Sequence, residues 1–210
     1  MTAQARKQQL RQSIIAGRAA LAEEMHLRLS REITARLLEL PPYREARTVL
    51  GYMHFGAEFV SEPWLQQVLH DGKRLLLPKV NTASRELDVY RVEDVETQLA
   101  PGAYGIREPQ PECCARLERL DEIDFILLPG VAFGRDGARL GYGGGFYDKL
   151  LARLPHSPAL AAAAFAMQLA EDIPQEATDR RVEWLVTEYE TIHCAAHDVR
   201  SVKQNFAGEE

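Results

Sequence analysis

One stretch constrains this chain more than any other: residues 125–151, FILLPGVAFGRDGARLGYGGGFYDKLL. It opens as an apolar run, Phe125–Leu128, broken by Pro129 and Gly130. It passes through Gly134, Asp136 and Gly137 to Arg139, Leu140, Gly141, Tyr142, Gly143, Gly144, Gly145, Phe146, Tyr147 and Asp148. An apolar helical pattern carrying Leu150, Leu151 and Leu154 follows at once. Strand, glycine-rich loop and helix, in that order, let unshielded backbone N–H groups ring an anion at a helix end whose dipole favours negative charge. Four of the five positions 141–145 are glycine, more than one tight turn with positive φ demands. Arg139 adds a planar, forked cation suited to phosphate oxygens.

Two familiar phosphate loops fit poorly. No Lys-Ser or Lys-Thr follows the glycines, so this is not a Walker loop. Gly141, Gly143 and Gly144 match a dinucleotide fingerprint only by eye, with aromatic residues in the wrong place. Asp148 is an odd neighbour for a phosphate unless a divalent cation stands between them. Mg²⁺ on one or two carboxylates plus nucleotide phosphates would reconcile the two.

The flanking chain alternates helix and strand patterns. Residues 4–40 read as helical, with Leu10, Ile14 and Ile15 as one stripe, then Leu27, Ile33, Leu37, Leu38 and Leu40 beyond a weak point near Gly17. Pro41 and Pro42 stop the helix. Lys7 and Arg11 share a helical face, which reads either as a solvated basic face or as two cations presented to an anion. Strand patterns follow at residues 48–53, 74–80 and 86–92, with a helix over 61–71 and Ser61 as its N-cap. Glu58 stands just past the first strand's carboxyl end, where open α/β sheets bind ligands. Residues 99–112, with three prolines and two glycines, read as a long irregular segment, and Tyr104 is its aromatic best placed to touch a ligand. A helix over 146–154, a small-residue strand over 160–165 and a last core strand over 184–187 complete the pattern. His193 and His197 read as a surface helix rather than a metal site. The fold class expected is α/β: a Rossmann-like three-layer sandwich with a largely parallel central sheet and helices on both faces.

Bulk properties bound the function. The chain has 210 residues, 46% of them hydrophobic and 27% charged, which suits one globular domain. That domain is expected over residues 1–199, with a polar tail over 200–210. A net charge of -6 argues against broad contact with nucleic acid or anionic membrane. Three sparse cysteines, Cys113, Cys114 and Cys194, have neither a disulfide framework nor zinc spacing and read as reduced thiols. With no spanning apolar run and no leader-like N-terminus, the expected location is the cytoplasm.

The motif Arg139-Leu140-Gly141-Tyr142-Gly143-Gly144-Gly145-Phe146-Tyr147-Asp148, preceded by Leu128-Pro129, resembles the signature R-L-G-x-G-x-G-[FY]-Y-D of the 5-formyltetrahydrofolate cyclo-ligase family. The resemblance extends along nearly the whole chain. Lys7 and Arg11 match the family's K-x-x-x-R, Glu58 its loop glutamate, Pro78-Lys79 its strand-end pair, and the run from Ala103 through Tyr104 to Pro109 its G-[WY]-x-I-x-x-P. The closing H-D-x-x-x-D-x-[IV]-V-T-E corresponds to residues 178–188, where Thr178 replaces the histidine and Glu183 the second aspartate, while Asp179 is kept.

The resemblance implies a reaction. ATP phosphorylates the formyl oxygen of 5-formyltetrahydrofolate, N10 closes the ring, and 5,10-methenyltetrahydrofolate, ADP and phosphate are released, with Mg²⁺ required. It implies that Lys7 and Arg139 act in catalysis and that Lys7, Arg11, Arg139 and residues 140–147 bind ATP. It further implies that Met53, Glu58, Tyr104 and residues 142–146 bind the folate, and that Asp148 and Asp179 hold the metal, directly or through water. A monomer is expected, with no nucleic-acid or membrane partner. Two rivals remain: another reaction on a related scaffold, such as a sugar-phosphate isomerase or CoA transferase, and a non-catalytic folate- or nucleotide-binding module derived from the same family.

Overall fold

A computed structural model describes residues 2–175 and 179–194. The chain opens with two helices, α1 (Ala3–Ala19) and α2 (Glu23–Glu39). The break between them falls at residues 20–22, not at Gly17, which is inside α1. There a Cβ would stand 2.5 Å from Met167 Cε, the far end of a flexible, exposed side chain. Pro41 and Pro42 end α2 and at the same time open a short helix, α3 (Pro41–Glu45), because proline is tolerated in a first turn. Then come β1 (Thr48–Leu50), α4 (Glu62–His70), β2 (Arg74–Asn81) and β3 (Glu86–Val92). Ser61 precedes α4 but makes no capping bond; its Oγ accepts from His54 N at 3.0 Å instead.

The proline-rich segment is more ordered than its composition suggests. β4 (Leu99–Pro101) and β5 (Arg107–Pro109) form a small antiparallel ribbon that presents Tyr104 at its tip, with φ +59°. The core then continues through β6 (Phe125–Leu128), the hairpin β7 (Ala132–Phe133) and β8 (Arg139–Leu140), and α5 (Phe146–Ala152). β9 (Ala159–Ala163) and β10 (Trp184–Val186) follow. β10 is not the last strand: β11 (Thr191–His193) pairs with it antiparallel, so His193 lies on a sheet edge rather than on a surface helix. Thr178, His197 and the expected tail boundary at 199 lie outside the described residues.

The central sheet has seven strands in the order β11-β10-β9-β6-β1-β2-β3. β2, β1, β6, β9 and β10 are parallel, while β3 and β11 close the edges antiparallel. The period-2 pattern divides each inner strand between two cores. Val49, Leu75, Leu77, Phe125 and Leu127 pack with α2, α3 and α4 through Ile33, Leu37, Tyr43, Trp64 and Leu65. Leu50, Leu76, Ile126, Leu128 and Leu160 pack the other way, against Leu150 and Leu151 of α5. This is the expected three-layer α/β sandwich. α1 stands beside it: Leu10 and Ile14 pack on Ala132, Ala138 and Leu140 of the β7–β8 hairpin and on Ile173 beyond β9. Two residues of the expected stripes, Ile15 and Leu27, face outward instead.

The order of the parallel strands positions the site. Read across the sheet they run second, first, third, fourth, fifth in chain order, so the direction of winding reverses between β1 and β6. α4, which connects β1 to β2, covers one face, and α5, which connects β6 to β9, covers the other. Divergent connections leave a crevice at the carboxyl ends of the two strands where the order switches. The loop carrying Glu58 leaves β1 there, and the chain that becomes the glycine loop leaves β6 there.

Candidate active site

The glycine loop joins β8 to α5. Gly143 (φ +96°) and Gly145 (φ +67°) hold left-handed backbone that a side chain would strain. None of the N–H groups of residues 141–145 finds an acceptor among the described residues, and residues 142–144 are exposed. Such a row of unsatisfied donors has the chemistry to ring an anion. α5 adds little dipole of its own, being seven residues long.

The cations are arranged around that loop. Arg11 Nε donates to Gly141 O at 2.8 Å, fastening α1 to the loop. One turn earlier, Lys7 is buried and pairs with Asp179 at 3.6 Å. Neither belongs to a solvated basic face. Arg139, at the loop's start, donates from Nη1 to Pro129 O at 3.3 Å and from Nη2 to Asp148 Oδ1 at 2.5 Å. Its Nε has no acceptor among the described residues. Asp148 thus has a cation beside it.

Whether the two carboxylates suit a divalent ion is a question of donor chemistry. Among the described residues, no group of three or more His, Cys, Asp or Glu side chains converges as a metal site. Asp148 and Asp179 supply two oxygen-donor groups, each next to a cation that a polyphosphate would attract. That set fits Mg²⁺ in the form in which it accompanies nucleotides, with few protein carboxylates and phosphate oxygens completing the shell. Glu183 takes no part. Its N–H bonds to Leu160 O at the start of β9, the amino end of the parallel strands, and its charged neighbour is His193.

On the β1 side, Glu58 is 4% exposed. Its Oε2 accepts from Phe55 N at 2.9 Å and its backbone carbonyl from His26 Nε2 at 2.7 Å. Burial pushes its carboxyl pKa up, opposed by a hydrogen bond from Tyr142, the bond from Phe55 and the charge of Arg18. Tyr142 receives a bond from Arg18 Nη2 at 2.7 Å. The Tyr52 and Tyr147 hydroxyls are buried nearby, and burial first, then the charge of Glu58, raises both. Aromatic pairs rim the crevice: Phe55 with Tyr142 at 6.5 Å and Tyr104 with Phe146 at 6.4 Å. Tyr104 itself is 69% exposed, projecting from the β4–β5 ribbon. Met53 does not project; it is packed in the core.

Apart from Met53, the expected residues thus lie around one crevice, with a cation-flanked glycine loop on one side and a buried carboxylate with aromatic neighbours on the other. The chain is similar to known proteins over almost all its length. A family model described as the 5-formyltetrahydrofolate cyclo-ligase family matches residues 3–188.

The chain belongs to that family.

A 5-formyltetrahydrofolate cyclo-ligase of Escherichia coli is 30% identical over 171 residues, covering 81% of this chain and 93% of that one. The enzyme of that name from Mycolicibacterium smegmatis is 31% identical, covering 86% and 93%. Among solved structures, the 5,10-methenyltetrahydrofolate synthetase of Aquifex aeolicus superposes with a TM-score of 0.78 at 34% identity, covering 97% of this chain and 99% of that one. These cyclo-ligases are ligases, and the fold shared with the Aquifex protein is the doubly wound sandwich described above.

Sequence reasoning missed Arg18. A signal existed: Lys7, Arg11 and Arg18 stand at i, i+4 and i+11, one face of a helix. It also missed the pair between Lys79 and the buried Glu108, 3.3 Å apart. Glu108 Oε1 accepts from Val80 N at 3.2 Å, which pins the β4–β5 ribbon, and so Tyr104, to β2. No helix among the described residues is long and apolar enough to cross a membrane.

Proposed function

We propose that this cyclo-ligase family member converts 5-formyltetrahydrofolate and ATP to 5,10-methenyltetrahydrofolate, ADP and phosphate. The observation that carries the reading is the switch-point crevice, where a glycine loop with unsatisfied donors and fixed cations faces a buried glutamate. An amide-like formyl oxygen is a poor leaving group, so it must be activated. The formyl oxygen attacks the γ-phosphorus, the β–γ bridging bond breaks, and ADP departs. N10 then attacks the activated carbon, the carbon–oxygen bond breaks, phosphate leaves with the formyl oxygen, and the N10 proton passes to solvent. N10 is already nucleophilic, so no dedicated base is required.

Catalysis of such a transfer is positioning and charge neutralisation. Lys7, Arg11 and Arg139 neutralise the triphosphate, with Lys7 and Arg139 closest to the transferred group. The backbone of Leu140, Gly141, Tyr142, Gly143, Gly144, Gly145, Phe146 and Tyr147 cradles the nucleotide. Glu58 holds the folate by hydrogen bonds, while Met53, Tyr104, Tyr142 and Phe146 wall its ring system and residues 143–145 lie beneath the formyl group. Asp148 and Asp179 would hold Mg²⁺, which when bound supplies extra charge neutralisation at the phosphates. The protein works as a cytoplasmic monomer.

The test is direct. Protein, 5-formyltetrahydrofolate, Mg²⁺ and ATP are mixed, and the absorbance of the methenyl product is followed. An ATP-dependent rise is expected. No rise from protein that is folded by circular dichroism would reject the reading.

A further inference from the structure

The loop motif leaves the position after Gly141 open, and this chain fills it with Tyr142. The ring is 43% exposed and sits edge-on to Phe55, but the hydroxyl turns inward. The Phe55 ring lies 6.5 Å from the tyrosine ring, and the N–H of that same Phe55 donates to Glu58 Oε2 at 2.9 Å, which brings the tyrosine to the Glu58 carboxylate. The tyrosine hydroxyl accepts from Arg18 Nη2 at 2.7 Å. Since the arginine supplies the proton of that bond, the hydroxyl's own proton is free to turn to Glu58. Burial and the charge of Glu58 keep the hydroxyl protonated, so it remains a donor. Arg18 is 3% exposed, and its Nε has no acceptor among the described residues. Burying a guanidinium in this way costs more than an apolar side chain of similar length would, so stability alone does not account for it.

The chain Arg18–Tyr142–Glu58 crosses three elements: α1, the glycine loop, and the loop after β1. We propose that it couples the two substrate sites, with Arg18 and Tyr142 as positioning residues: folate held by Glu58 fixes Tyr142, and with it the glycine loop, in the arrangement that receives ATP. The inference rests on the reading above, which puts folate on Glu58 and the nucleotide on the loop. An exposed loop with unsatisfied N–H groups must be ordered when an anion binds, and a first ligand that orders it spares the second that cost. Linkage makes the effect mutual.

The experiment is titration calorimetry with 5-formyltetrahydrofolate, in the absence and presence of saturating Mg²⁺ and an ATP analogue with an imido β–γ bridge. For wild type, the folate Kd falls at least about fivefold when the analogue is present. In Tyr142→Phe that ratio falls below about twofold, whatever the variant's affinity for either ligand alone. Arg18→Met loses the ratio equally, and the double variant loses no more. If Arg18→Met fails to fold, Tyr142→Phe, which deletes one hydroxyl, carries the test. A wild-type ratio retained in Tyr142→Phe overturns the proposal. So does a wild type that binds both ligands without any ratio, which leaves the reaction itself standing. A wild type that binds neither ligand overturns both.

Discussion

Arg139 and Asp148 bracket the glycine loop and join across it, Nη2 to Oδ1 at 2.5 Å. The pair closes the loop's two ends together, with the arginine nearly buried and the aspartate partly exposed. The guanidinium is thereby fixed beside the loop, with Nη1 against Gly141, and on the proposed reading such preorganised charge is the form of electrostatic stabilisation that acts most strongly on a transition state.

Arg139→Ala is therefore expected to raise the KM for ATP and to lower kcat, with kcat/KM falling about 10²- to 10³-fold. Arg139→Lys recovers only part, because an ammonium cannot hold Asp148 and a phosphate in a planar fork. Steady-state rates with varied ATP check this, and wild-type parameters in the alanine variant would remove Arg139 from its role.

Lys7→Met should act on the nucleotide side alone. The KM for ATP is expected to rise about tenfold or more, a loss of about 1.4 kcal/mol for each factor of ten, with the KM for folate changed much less. Equal effects on both substrates would show that Lys7 supports the crevice in general rather than the triphosphate.

Glu58→Gln should act on the other side, weakening folate binding about tenfold or more as a charged acceptor is lost. It should also change how stability depends on pH. Burial holds the native Glu58 carboxyl above its ordinary range, so the native state keeps a proton that the unfolded chain releases. Stability from this group is thus lost as pH rises from the ordinary carboxyl value to the raised one. The glutamine variant escapes that loss and should gain on wild type as pH rises above the ordinary carboxyl range in urea titrations. A gap that does not change with pH would contradict it.

Two glycines should respond in opposite ways. Gly143→Ala forces a side chain onto left-handed backbone, costing about 1–2 kcal/mol, and should lower ATP affinity as well. Gly17→Ala replaces a glycine inside α1, where alanine is favoured by about 0.5–1 kcal/mol. The atom its Cβ would meet, Met167 Cε, is the free end of a flexible and exposed side chain that can swing away. Thermal melts should show the first variant destabilised and the second stabilised by a few degrees or less.

The sheet was legible because short apolar runs such as Phe125–Leu128 alternate with helix patterns, and because glycines in that number have few uses. The glycine loop stood out as a residue pattern, whereas Lys7, Arg11 and Glu58 were singled out by their match to the family's motifs, since spacing alone left the two cations open to a solvated face. What stayed hidden depends on approach in space. β11 is three residues long with no strong pattern, and only its pairing with β10 defines it. The β4–β5 ribbon is hidden by its prolines, which are tolerated because the strands are short and at an edge. The pairing of Asp148 with Arg139 was hidden too, because the whole glycine loop separates the two residues in sequence. Arg18 was not singled out in the sequence, and it is the docking of α1 on the loop that brings its guanidinium to Tyr142.

The central claim is that ATP activates the formyl oxygen itself, and one isotope measurement addresses it. 5-Formyltetrahydrofolate carrying ¹⁸O in the formyl group is turned over with unlabelled ATP, and the released phosphate is examined by mass spectrometry. The account predicts one ¹⁸O atom in the phosphate for each methenyl product formed. Unlabelled phosphate, formed alongside the same product, would contradict it.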